Sequence, residues 1–104
     1  MNVIEILKEH EKEIKKRFGV KRIGVFGSYV RGEEKESSDI DLVVEFDLSA
    51  FGKNFKGLYD TYINLSSYLE NLLGRKVDIL TPVSIDTIRI KEVSEEIKRS
   101  IVYV

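Results

Sequence analysis

The run Asp39-Ile40-Asp41-Leu42-Val43-Val44-Glu45-Phe46, introduced by Ser37 and Ser38, constrains the fold more than any other stretch. Ile40, Leu42 and Val44 alternate with Asp39 and Asp41, so the segment reads as a β-strand with one face in a core and two carboxylates on the other. Carboxylates at i and i+2 on one strand face stand about 6–7 Å apart along the backbone. Left alone they repel, and like charges at that range raise one pKa or recruit a cation. An isolated pair of this kind also fits two solvated residues opening a strand. A third carboxylate, Asp78 in KVDIL, shifts the reading, because Val77 and Ile79 share one face, Asp78 projects from the other, and a charge inside an apolar strand is costly unless paired or metal-bound. Asp39, Asp41 and Asp78 together form an oxygen-only donor set suited to Mg²⁺ or Mn²⁺.

The rest of the chain frames these strands. Val3, Leu7, His10, Ile14 and Phe18 recur at helical spacing and Gly19 supplies a stop, giving an amphipathic first helix with His10 as a structural residue of its stripe. KRIGVFG reads as a buried strand ending at Gly27, Ser28 to Arg31 as a short helical turn, and residues 32–38 as a polar loop. Residues 47–57 form a connection of unassigned role. Leu58, Tyr62, Leu65, Leu69 and Leu72 mark a second long helix closed by Gly74, and Lys76 to Thr81 a third strand ended by Pro82. From Val83 onward Ile90, Val93, Ile97 and Ile101 predict one final helix, followed by the apolar tail Val102-Tyr103-Val104. Tyr59 is expected in the core; Phe51, Phe55 and the tail fit either packing or contact with a partner.

Composition removes several classes of chemistry. With 104 residues the chain suits one domain, 1–104, with a single core. It has no Cys and one His, which excludes disulfides, Cys/His zinc sites and Cys- or His-based triads. Seventeen Lys and Arg nearly balance eighteen Asp and Glu, so no basic field favours general DNA binding. No apolar run approaches a membrane span and the first residues show no signal-peptide pattern, so a cytoplasmic location without membrane association is expected.

Gly27 and Ser28 lie where a strand end leads into a helical turn, an arrangement whose N–H groups and hydroxyl can hold a phosphate or simply cap a turn. Arg31 is placed either to contact a triphosphate or to pair with Glu33, Glu34 or a site Asp. Taken together, GSYVRG, then SSDIDLVV, then KVDIL resemble the signature of the polymerase-beta-like nucleotidyltransferase superfamily. The short length most resembles its minimal nucleotidyltransferase branch, which is commonly paired with HEPN-domain partners. The resemblance implies an α+β (α/β two-layer) fold, a small mixed sheet with helices packed on one side. It implies that Asp39, Asp41 and Asp78 bind two Mg²⁺ ions, that Asp78 helps activate the attacking group, that Gly27 and Ser28 hold the phosphates of ATP, and that Arg31 either contacts phosphate or supports the architecture of the site. It further implies transfer of AMP from ATP to a tyrosine of a HEPN ribonuclease toxin, making the chain a type VII-like antitoxin in a hetero-complex. Two other readings remain open at this point: a non-catalytic antitoxin that neutralises its partner by binding, and a nucleotidyltransferase acting on a small molecule such as an aminoglycoside.

Overall fold

A computed structural model of the chain describes residues 2–35, 38–51 and 55–104. Ser37 therefore lies outside the described residues, as does the side chain of Phe55. The first helix, α1 (Val3–Phe18), starts at Asn2, whose side chain accepts the Glu5 N–H at 3.2 Å, and ends at Gly19 with φ 62°, the left-handed C-cap that glycine tolerates. Val3, Leu7, Ile14 and Phe18 are buried, while His10 is half-buried with its Nδ1 2.9 Å from the Ile6 carbonyl oxygen. Strand β1 (Val20–Phe26) leads into the one-turn helix α2 (Ser28–Arg31), and strand β2 (Ile40–Phe46) follows. A short 3₁₀ turn (Leu48–Ala50) precedes the long helix α3 (Phe55–Leu73), then come strand β3 (Val77–Leu80), helix α4 (Pro82–Asp86), helix α5 (Lys91–Ser100) and strand β4 (Val102–Tyr103).

The four strands form one mixed sheet in the order β3-β2-β1-β4. The β1 strand pairs antiparallel with both β2 and β4, and β2 pairs parallel with β3. Strand alternation then divides the residues between two faces. Ile23, Val25, Ile40, Leu42, Val44, Val77 and Ile79 turn to the face covered by α1 and α3, where they meet Leu7, Ile14, Leu65, Leu69 and Leu73 in the main core. The mixed α+β architecture thus follows the expectation. Its one-sided helical cover holds for the two long helices, but α4 and α5 cover part of the opposite face, where Phe26, Val43 and Ile85 form a second cluster with Leu80, Ile88, Ile97 and Ile101.

Other boundaries differ from the sequence expectation. The single final helix is two. Thr81 caps α4 by accepting the Ser84 N–H, Pro82 occupies its first turn, and the chain bends before α5. Ile101 leaves helical geometry, and the tail becomes β4, held where Gly24 allows close approach: a Cβ there would stand 2.7 Å from Ile101 Cγ2 and 3.1 Å from the Val102 carbonyl oxygen. Tyr59 is on the surface at 65% exposure, because one residue along α3 from the stripe position Leu58 is a rotation of about 100°. Phe51 instead packs edge-on to Phe46, ring centroids 6.1 Å apart.

Leu69 is fully buried between α3 and the sheet. Leu69→Ala is expected to lower the unfolding free energy by about 2–5 kcal/mol, whereas exposed Asn71→Ala stays within about 0.5 kcal/mol. Urea unfolding of the two variants checks the contrast.

Candidate active site

Register assembles the site. Phe26 of β1 is paired with Asp41 of β2, and Asp41 with Asp78 of β3, so the two carboxylates occupy facing positions on adjacent strands about 4.8 Å apart. Both lie on the face opposite the main core, because their neighbours Ile40, Leu42, Val77 and Ile79 point into it. Asp39, two residues before Asp41 and of the same parity, stands exposed just before β2 begins. Val43 and Leu80, one step further along the same face, are under the α4/α5 cluster, which on β1 reaches Phe26 beside Asp41 and includes neither Asp41 nor Asp78.

Gly27 follows β1 with φ 77° and ψ −147°, a conformation open to glycine, and a Cβ on it would run into the Asp41 carboxylate. Sequence reasoning placed Gly27 at a phosphate-holding turn and missed this second role, leaving room for Asp41. Ser28 opens α2 and is half-buried; the turn is fixed by the Val30 and Arg31 N–H groups, which both donate to the Gly27 carbonyl at 3.1 Å. Arg31 sits on the surface with its Nε 3.1 Å from Glu33, and its charge also reaches Asp41. Of the two placements open to Arg31, the structure shows the pairing with Glu33.

The electrostatics mark Asp41 as the pivot. Burial pushes its carboxyl above the ordinary carboxylate value, the charges of Asp78 and then Asp39 push it further, and Arg31 opposes them. Among the described residues no three acidic, His or Cys side chains stand close enough to make a complete metal cage. The donor set nonetheless fits a hard divalent cation that keeps several waters and takes one or two protein carboxylates together with substrate phosphates, since Asp41 and Asp78 face each other and Asp39 flanks them. A cavity of about 610 Å³ lined by Phe46, Leu48, Leu58, Pro82 and Val83 opens at the other end of β2 and touches none of these carboxylates.

Gly27 set against Asp41, with Asp78 facing Asp41 on the neighbouring strand of a mixed sheet, is the arrangement that the comparisons with known proteins bear on. The profile of the nucleotidyltransferase domain family matches residues 7–104, and the chain belongs to that family. It is 43% identical over 99 residues to the protein adenylyltransferase MntA of Thermococcus cleftensis, covering 95% of this chain and 89% of that one. A Methanocaldococcus jannaschii protein with a provisional protein adenylyltransferase assignment is 46% identical over 92 residues, covering 88% of this chain and 87% of that one. Among solved structures, one provisionally described as a minimal nucleotidyltransferase superposes with a TM-score of 0.67 at 30% identity, over 98% of this chain and 95% of that one. A toxin–antitoxin structure with AMP-PNP shares the fold, with a TM-score of 0.61 at 20% identity over 99% of this chain and 72% of that one.

Because the Asp41 carboxyl holds its proton more tightly in the folded chain than in the unfolded one, ionising it costs stability. That cost is absent below the unfolded value of about 3.9 and grows as pH rises from there through the raised folded value. Asp41→Asn is therefore expected to raise the melting temperature at pH 7, with the gain shrinking towards pH 4. Thermal melts across that range check it, and an equal or lower melting temperature at pH 7 would contradict it.

Proposed function

We propose that this chain is a Mg²⁺-dependent protein adenylyltransferase that moves AMP from ATP to a tyrosine of a HEPN ribonuclease toxin in the cytoplasm, and so acts as its antitoxin within a one-domain scaffold. The observation that carries the reading is the facing pair Asp41 and Asp78, with Gly27 set directly against Asp41. Relatives with 43% and 46% identity carry protein adenylyltransferase names, and a fold neighbour is a toxin–antitoxin complex with a nucleotide analogue, which supports a protein acceptor and ATP as donor.

In the transfer, the acceptor hydroxyl oxygen forms a bond to the α-phosphorus of ATP, the bond to the β-phosphate oxygen breaks, and pyrophosphate leaves. Ser28 and the turn at Gly27 hold the phosphates, and Arg31 adds a positive charge at their edge. Asp39, Asp41 and Asp78 would hold two Mg²⁺ ions, which when bound supply Lewis-acid stabilisation of phosphate charge. Asp78 lies on the edge strand, where it is accessible to an incoming hydroxyl and to its departing proton.

Intact-mass measurement of the HEPN partner after incubation with this protein, ATP and Mg²⁺ tests the proposal. A gain of whole AMP units is expected, and Asp39→Ala, Asp41→Ala and Asp78→Ala should each slow it by about three orders of magnitude or more, the scale of losing several kcal/mol of charge stabilisation. Normal transfer by the Asp41 variant sinks the mechanism. A stable complex without any mass gain identifies a sequestering antitoxin instead.

A further inference from the structure

Asp78 sits in the middle of a four-residue strand at the edge of the sheet, a weak platform for a group that must face Asp41. On one side β3 is held by the ladder to β2, in which the Ile40 N–H donates to the Lys76 carbonyl at 3.0 Å. Successive residues of a strand direct their backbone groups to opposite edges, so the N–H of Val77 and the C=O of Ile79 point away from β2. Both find partners on α3. The Val77 N–H donates to a Glu70 carboxylate oxygen at 3.1 Å, and the Tyr62 hydroxyl donates to the Ile79 carbonyl at 3.4 Å. The two residues that flank Asp78 are thus gripped from the outer edge by side chains two helical turns apart. Glu70 is also the one charged residue in the stretch Leu65–Leu73, and it is half-buried, a placement that its backbone partner accounts for.

We propose that Glu70 and Tyr62 are positioning residues that clamp the outer edge of β3 and thereby hold Asp78 in register with Asp41. The assignment rests on the nucleotidyltransferase site proposed above, in which Asp78 acts on the attacking group. Glu70 touches no reacting atom and works through the peptide at Val77, with its carboxylate as a hydrogen-bond acceptor.

Two readouts on the full chain test the clamp: amide hydrogen exchange, and kinetics of AMP transfer to the HEPN partner. In Glu70→Ala the Val77 amide is expected to exchange about tenfold or more faster while amides of α1 and β1 keep their protection, the loss of a hydrogen bond to a charged acceptor confined to one edge. The kcat is expected to fall about tenfold with KM for ATP within about twofold, since Asp78 serves the chemical step and not nucleotide binding. Glu70→Gln keeps an acceptor oxygen and should restore both quantities to within about threefold of the wild type. Unchanged protection at Val77 in Glu70→Ala overturns the clamp, as does wild-type kcat despite faster exchange, or a Gln variant no better than the Ala one. Should Glu70→Ala not fold, Tyr62→Phe removes only a hydroxyl; faster exchange of the Leu80 amide, which shares its peptide with the Ile79 carbonyl, supports the clamp, and unchanged exchange there refutes it. A wild type that transfers no AMP at all counts against the proposed function alone, because the exchange measurements still decide whether β3 is clamped.

Discussion

The parallel pairing of β2 with β3 is the constraint on which both core and site depend. It sets Asp41 opposite Asp78, and the same alternation sends Ile40, Leu42, Val44, Val77 and Ile79 to the other face. A slip of either strand by one residue would exchange the faces, drive a carboxylate into the apolar core and expose the aliphatic residues. Correct register is thus enforced by the burial of these side chains, each contributing about 1.5–3 kcal/mol when fully buried. That burial tolerates the repulsion concentrated on Asp41. A site built from like charges is stable here because the two faces of the same strands are coupled.

The second face shows how a chain of 104 residues accommodates chemistry beside a small second cluster. The helices α4 and α5 cover the end of that face where Phe26, Val43 and Leu80 lie, using Ile85, Ile88 and Ile97. Buried Ser94 ties the two helices together by donating from its hydroxyl to the Ile85 carbonyl at 2.9 Å, so the polar group costs little in its apolar setting. Along β2 the cluster stops at Val43. One strand step away Asp41 has an environment of intermediate burial, enough to raise its pKa and still open to a ligand. Gly27 completes the pocket by subtraction, since its missing side chain is the space Asp41 uses.

Much of this arrangement is legible in the sequence, for physical reasons. Period-two alternation in DIDLVV and KVDIL fixes which carboxylates share a face, and the spacing of Leu7, Ile14, Leu65 and Leu69 fixes which helix stripes cover the other. What alternation alone does not encode is the order of strands in the sheet. That Asp41 faces Asp78, and not merely a similar environment, follows from the β2–β3 neighbourhood, which long-range packing sets. The tail is a parallel case. Ile101-Val102-Tyr103 continues the apolar spacing of α5, yet it becomes an edge strand because Gly24 on β1 leaves a slot that a side chain would fill. Tyr59 misled for the opposite reason: an aromatic beside the stripe residue Leu58 suggests core, but one residue along a helix is a rotation of about 100° and carries it to the surface.

The role of α3 follows from the same geometry. Its apolar stripe supplies the core, and residues on the margin of that stripe, Tyr62 and Glu70, reach past the sheet edge to β3. An edge strand exposes backbone groups that invite pairing with another chain, and short strands have few ladder bonds with which to resist distortion. Side chains that occupy those outward groups address both problems at once: they cap the edge against strand addition and stiffen the segment that carries Asp78. A glutamate in the otherwise uncharged run LSSYLENLL is the sequence trace of this device, because a carboxylate held at the margin of an apolar stripe needs a donor, and an outward backbone N–H on an edge strand needs an acceptor. The helix that builds the core is therefore also the part that sets the precision of the site.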